Sequence, residues 1–233
     1  MPDPEALVFD VFGTVVDWRT SVIEEVEAAA ARRGVTGDWA AFADSWRRRY
    51  QPSLEIVRSG RVPWTVLDEL HRASLDDLVQ EFGLQALDET ERQQLNLVWH
   101  RLRPWPDSVE GLRRLRRRFV VTTLSNGNFA LLVDLVKAGG LPFDCILSTE
   151  LCQAYKPDPR TYRLAPTLLR LEPQEVMMVA AHADDLSAAA GEGLRTALVR
   201  RPLEWGPGTE MPSDGGFDRV ADDFVELARQ LGE

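Results

Sequence analysis

The sequence predicts an α/β protein, a parallel sheet interrupted by an inserted set of helices, and three observations predict it. Four short apolar or β-branched runs, at residues 6–9, 119–124, 145–148 and 176–180, each end at a polar residue or a turn signal, the pattern of strands buried in a parallel sheet. Helical patterns follow the second, third and fourth runs. Between the first and the second lies a long stretch, residues 17–103, that reads as helical.

The first run, Ala6-Leu7-Val8-Phe9, leads into Asp10-Val11-Phe12-Gly13-Thr14. A carboxylate at the end of a buried strand is costly unless it is paired or used, and open α/β sheets carry their chemistry at the carboxyl ends of their strands. Asp10 is therefore a candidate nucleophile; the alternative is that it caps a turn beside Gly13. The insert opens with Ser21-Val22-Ile23-Glu24, which has capping-box spacing and starts a helix through Arg33 that Gly34 stops. Residues 39–50, 66–82 and 88–102 then read as amphipathic helices, and Pro104-Trp105-Pro106 marks the return to the sheet.

The second run ends in Ser125-Asn126-Gly127-Asn128, a turn that opens a helix at 129–138. The third is followed by Lys156-Pro157-Asp158-Pro159, where Asp158 can cap a helix carrying Pro159 in its first turn; Pro166 kinks or breaks the helical run beyond it. The fourth leads through Ala181-His182-Ala183 into Asp184-Asp185 and an alanine-rich helix. Residues 201–216, rich in Pro and Gly, read as poorly ordered, ahead of a last short strand and a helix at 221–231. Right-handed crossovers put all these strand ends on one rim, so Asp10, Ser125, Lys156 and Asp185 become neighbours despite their separation in the chain.

These four motifs, in this order and on these elements, resemble the haloacid dehalogenase superfamily, and within it the L-2-haloacid dehalogenase group. The resemblance spans Asp10 to Asp185 and rests on Asp10-Val11-Phe12-Gly13-Thr14, Leu124-Ser125-Asn126-Gly127, Tyr155-Lys156-Pro157-Asp158-Pro159-Arg160-Thr161-Tyr162 and Asp185. It implies a Rossmann-like core, residues 1–16 and 104–233, with a helical cap at 17–103. Phosphatases of the superfamily carry a second Asp two positions after the nucleophile to protonate an alkoxide leaving group. Here that position is Phe12. A halide is weakly basic and needs no such acid, so the substitution favours carbon–halogen cleavage.

The implied reaction is hydrolysis of a short 2-haloacid to a 2-hydroxy acid through an ester on Asp10. Lys156 keeps Asp10 ionised, Asp185 positions Lys156 and the hydrolytic water, and Thr14 and Ser125 donate to oxygens of Asp10 or of the substrate carboxylate. Asn126 is a candidate donor to the departing halide, Phe12 lines the pocket, and Tyr162 is a further active-site group. Trp46-Arg47 resembles the family's substrate-binding Trp-Arg pair, which gives Arg47 the substrate; Arg48 and Arg49 then lie on a solvated face, as do the arginines of residues 113–118, with Leu112 and Leu115 turned inward.

Two departures stand out. His182 occupies a position where better-known members have Asn; it either donates to the halide, which would favour release of fluoride from fluoroacetate, or turns away to backbone or Asp184. Asp184-Asp185 also looks like the phosphatases' magnesium pair, although a helix N-terminal acid accounts for Asp184, and no metal or other cofactor is expected.

A net charge of −10 in 233 residues argues against nucleic acid as a partner. No apolar run reaches membrane-spanning length and residues 1–5 lack signal-peptide features, so the expected location is the cytoplasm. Cys145 and Cys152 read as small buried hydrophobes rather than a disulfide or zinc pair, and His71 and His100 as structural or exposed. Dimerisation is usual in the family resembled, which makes a homodimer the expected assembly. The alternatives are a phosphatase or phosphonatase of the same superfamily, opening of a strained-ring amino acid by the same nucleophile, and a silent binding module that kept the fold.

Overall fold

The computed structural model describes residues 3–208 and 215–233. The chain runs from β1 (Ala6–Phe9) through a short β2 (Val16–Asp17) into α1 (Trp18–Arg32), α2 (Trp39–Arg58), α3 (Leu67–Glu81) and α4 (Glu89–Asn96). It returns through a 3-10 turn, Leu97–His100, to β3 (Arg103–Pro104), which pairs antiparallel with β2. It continues with α5 (Ser108–Leu115), β4 (Val120–Thr123), α6 (Phe129–Gly139), α7 (Pro159–Tyr162), α8 (Leu164–Leu169), β5 (Val176–Ala180), α9 (Ala183–Gly191), β6 (Arg195–Val199), β7 (Arg219–Ala221) and α10 (Phe224–Gln230).

The main sheet is parallel throughout, in the order β4-β1-β5-β6-β7. Alternation along β1 sends Leu7 and Phe9 into one apolar cluster and Ala6 and Val8 into the other, as a strand covered on both faces requires. Phe9 is level with Thr123 on one side and Val179 on the other. The Asp10 amide donates to the Val179 carbonyl (3.0 Å) and the Leu124 amide to the Phe9 carbonyl (2.7 Å). The ladder therefore ends at the same level on three adjacent strands, and the first residues beyond it share one rim.

Several local expectations change. The first helix starts at Trp18, capped by Asp17, whose side chain accepts from the Thr20 amide. Ser21 is no cap: its hydroxyl donates to the Asp17 carbonyl and accepts from the Arg103 amide, tying the helix to the returning chain. The capping box lies instead at Asp88 and Glu91. α2 extends to Arg58, through Pro52, and the run expected over 88–102 tightens into the 3-10 turn after Asn96.

Residues 145–148 form no strand: Cys145 makes an isolated bridge to Thr122 of β4, and Ser148 one to Ser125 just beyond it. Side chains take over the ladder there: the Asp144 carboxylate accepts from the Val121 amide, and the Thr123 hydroxyl bonds both the amide and the carbonyl of Leu147. Cys145 and Cys152 are half-buried rather than buried. The helical run around Pro166 is broken into α7 and α8, with Pro166 in the first turn of α8. Leu112 and Leu115 face the core, while Arg113 and Arg114 pair with Glu110 at the surface.

The segment after β6 departs most from expectation. Arg201 and Glu204 are buried. Arg201 donates to the Thr14 carbonyl (2.8 Å), forms a bidentate pair with Asp107 (2.7 and 2.9 Å), and lies over the Phe224 ring. Residues 201–208 are thereby fastened to the rim beside Asp10; residues 209–214 of that stretch lie outside the described residues.

Candidate active site

Asp10 is the hub of the rim. Its Oδ2 accepts from the Thr14 hydroxyl (2.8 Å) and from His182 Nδ1 (3.1 Å), and its Oδ1 faces Lys156 Nζ at 3.3 Å. The Ala181 amide donates to Thr14 Oγ1 (2.9 Å), which directs the Thr14 proton toward Asp10. Burial alone would raise the Asp10 pKa, but Lys156, His182 and Thr14 outweigh it and hold the carboxyl well below the usual range. The carboxylate is ionised at neutral pH.

Lys156 Nζ also reaches Asp185 Oδ2 (2.6 Å), and the Tyr162 hydroxyl donates to Asp185 Oδ1 (2.7 Å). Burial disfavours the ammonium, yet Asp185 and Asp10 together raise its pKa. Burial pushes the Asp185 pKa upward despite Lys156, so its carboxylate is more basic than an exposed one. Asn126 fixes the lysine loop, because its Oδ1 accepts from the Lys156 amide (2.9 Å) while its Nδ2 donates to the Tyr50 hydroxyl (2.9 Å).

From the insert, α2 brings Arg47 and Tyr50 over the rim. The Arg47 guanidinium lies over the Tyr50 ring (4.5 Å) and near Trp18 (5.6 Å), and its buried Nη1 has no hydrogen-bond partner among the described residues. Phe12 meets Trp99 edge-on at 5.9 Å, and behind it Trp99 stacks on His71 at 4.3 Å. Burial pushes the His71 pKa down to about 3, so this aromatic wall is uncharged. The Arg58 guanidinium, at the end of α2, donates to the Lys156 carbonyl (2.6 Å). Asp10, Arg47, Tyr50, Lys156 and His182 all face one cleft of about 380 Å³.

On the opposite side, His182 Nε2 bonds both oxygens of Glu204, at 3.0 and 3.1 Å. Trp18 Nε1 donates to Glu204 Oε1 (3.1 Å). Gly13 makes room for this carboxylate: it sits at φ +88°, and a Cβ there would lie 2.1 Å from Glu204 Oε1. Trp205 packs edge-on against Trp18 at 5.0 Å and lines the cleft. Among the described residues, no group of three or more His, Cys, Asp or Glu side chains is arranged to hold a metal ion.

Residues 4–193 match the model of the haloacid dehalogenase-like hydrolases. The chain belongs to that family. Among curated members of this family, the (S)-2-haloacid dehalogenase 1 of Pseudomonas sp. strain CBS-3 is 30% identical, over 85% of this chain and 86% of that protein. The (S)-2-haloacid dehalogenase of Xanthobacter autotrophicus is 31% identical, over 84% and 75%. Among solved structures, the defluorinating L-2-haloacid dehalogenase Rha0230 superposes with a TM-score of 0.94 at 44% identity, covering 98% of this chain and 95% of that one. The Xanthobacter autotrophicus enzyme with chloropropionic acid covalently bound has the same fold, at a TM-score of 0.79 and 25% identity.

Within this haloacid dehalogenase fold, the residues expected at the site fall into three groups. Asp10, Thr14, Lys156, Asp185, Tyr162 and His182 form one bonded network, and Phe12, Arg47 and Asn126 line the cleft it opens into. Ser125 stands apart. It is fully buried, and its hydroxyl oxygen accepts from the Gly127 amide (3.2 Å), shaping the turn rather than touching Asp10. His182 follows neither expected orientation, since it bonds Asp10 and Glu204. Asp184 is exposed at the start of α9, as a helix N-terminal acid would be. Arg48 bonds Ser45 and Arg49 pairs with Glu81, while His100 is buried between Asp68 and Asp134.

Glu204, Trp205 and Tyr50 were not expected. The signal for the first two was available: an acidic and an aromatic residue a few positions beyond a strand end, on the rim that holds the chemistry.

Proposed function

We propose that this chain hydrolyses short 2-haloacids to 2-hydroxy acids through an ester on Asp10. The observation that carries the reading is an ionised, buried carboxylate at the rim with Phe12 in the position of the phosphatase acid. Asp10 Oδ2 is engaged by two donors, whereas Oδ1 meets only Lys156 among the described residues. Oδ1 is therefore the attacking atom: its lone pair bonds the halogen-bearing carbon, and the carbon–halogen pair leaves with the halide. Arg47 takes the substrate carboxylate with its unpartnered nitrogen, and Asn126, which lines the same cleft, is the candidate donor to the departing halide.

In the second step water attacks Asp10 Cγ and passes a proton to Asp185. The Cγ–Oδ1 bond breaks, the product oxygen takes that proton back, and the Asp10 carboxyl formed releases its own proton to solvent. Residues 17–103 act as a cap in this reading, and fluoroacetate is within the substrate class, in keeping with the defluorinating relative. The family resemblance supports a cytoplasmic homodimer; among the described residues no helix is long and apolar enough to cross a membrane.

A single turnover in heavy-oxygen water tests the ester. Label enters the Asp10 side chain first and the hydroxy acid stays unlabelled, while Asp10→Asn releases no halide; label appearing first in the product would mean direct attack by water. Arg47→Ala removes a desolvated cation from a bound carboxylate, a loss of about 2–5 kcal/mol, or roughly one and a half to three and a half decades in kcat/KM. Arg48→Ala and Arg49→Ala leave it nearly unchanged, and equal losses at all three positions would remove Arg47 from the site.

A further inference from the structure

His182 and Glu204 have no part in the bond changes described above, yet the half-buried His182 pairs with the buried Glu204 in contact with the nucleophile. We infer that His182 and Thr14 are the oxyanion hole of the hydrolytic step, with Glu204 holding the imidazole as a donor at both nitrogens. This rests on the ester reading and says which atoms stabilise the breakdown of that ester.

Both donors converge on one atom, Asp10 Oδ2, at 2.8 Å from Thr14 and 3.1 Å from His182. When Oδ1 is alkylated, Oδ2 becomes the ester carbonyl oxygen. When water adds to Cγ, the electron pair of that carbonyl moves onto Oδ2, and a nearly neutral acceptor becomes an anion between two fixed donors. An interaction that strengthens only as charge develops lowers the barrier rather than merely binding the intermediate. The same donors leave Oδ1 free for the first step, so one arrangement serves both halves of the reaction.

Thr14 is oriented by the Ala181 amide. His182 is oriented by both oxygens of Glu204, which is itself held by Trp18 and seated over Gly13. The charged groups around the imidazole are Asp10 and Glu204 in direct contact, Lys156 and Arg47 across the cleft, and Asp184 and Asp185 on its own helix. Burial works against the imidazolium, but Glu204 and Asp10 push its pKa up to about 10. Esterification removes the Asp10 charge, and Glu204 is then the carboxylate in contact that keeps the proton on His182.

Two variants test this. His182→Ala forms the ester with a stoichiometric burst of halide, after which ester hydrolysis is about 10²–10³-fold slower, and the adduct on Asp10 accumulates in the intact-protein mass. Glu204→Gln keeps an acceptor for Nε2 but not the charge, so the alkaline limb of the hydrolysis rate moves to lower pH. Hydrolysis of the ester at the wild-type rate in His182→Ala would overturn the proposal. So would a Glu204→Gln profile that keeps its alkaline limb in place, or one in which hydrolysis rises with pH, the signature of a neutral imidazole acting as base. If no adduct or burst appears even in His182→Ala and label goes straight to product, the ester reading fails instead.

Discussion

The two oxygens of Asp10 face two different neighbourhoods. On the Oδ1 side, Lys156, Asp185 and Tyr162 form a network in which one ammonium bridges two buried carboxylates. On the Oδ2 side, Thr14 and His182 donate, and the supporting charge, Glu204, stands one residue farther back. In the proposed reaction the first neighbourhood fixes the charge of Asp10 and the second grips the oxygen assigned no part in the attack. A single carboxylate can thus be left reactive at one atom and restrained at the other.

The sharpest way to break this contrast is Lys156→Met. It leaves Asp10 and Asp185 facing each other in a buried site without their shared cation, and removing one partner of a buried pair costs about 3–5 kcal/mol of stability. The like charges also push each other toward protonation, which disarms the nucleophile. The expected outcome is loss of halide release together with a lower Tm. Glu204→Gln slows hydrolysis and spares the burst, so a Lys156→Met protein that still gives a full halide burst would show that the two sides do not divide the work in this way.

A gentler probe is the pH dependence of stability. His182 has its pKa raised from 6.5 to about 10 on folding, so its contribution is fully present below about pH 6.5 and is lost as pH rises toward 10. Denaturant unfolding from pH 6.5 to 10 is expected to show a decline in stability that is reduced in Glu204→Gln. A decline of the same size in both proteins would place its origin elsewhere.

The two sides also differ in how far the sequence reveals them. Asp10, Lys156 and Asp185 were legible because each follows a recognisable strand end and the parallel topology brings those ends together, whereas Tyr162 came only with the family resemblance. Glu204 and Trp205 were not legible, because a Pro/Gly-rich stretch reads as loose when its order comes from long-range anchors: Arg201 ties it to the Thr14 carbonyl and Asp107, and Glu204 ties it to His182 and Trp18. Such long-range anchoring leaves no periodicity to detect. Residues 145–148 misled in the opposite sense, since their β-like composition is real but the Asp144 and Thr123 side chains occupy the ladder positions. Ser125 follows its strand end as expected, yet its hydroxyl oxygen accepts from the Gly127 amide, a local choice that position alone does not decide.

Gly13 gives the architecture an unexpected economy. Its positive φ is needed for the turn that lets β1 stop at Asp10, and the Cβ it lacks is the seat of the Glu204 carboxylate. One missing methyl group therefore serves as both pivot and socket: it turns the chain that carries the nucleophile and receives the side chain that steadies the imidazole. Residues 201–208 dock into a vacancy that the first strand's own turn creates, so the sheet edge and the loop above it cannot vary independently at this point.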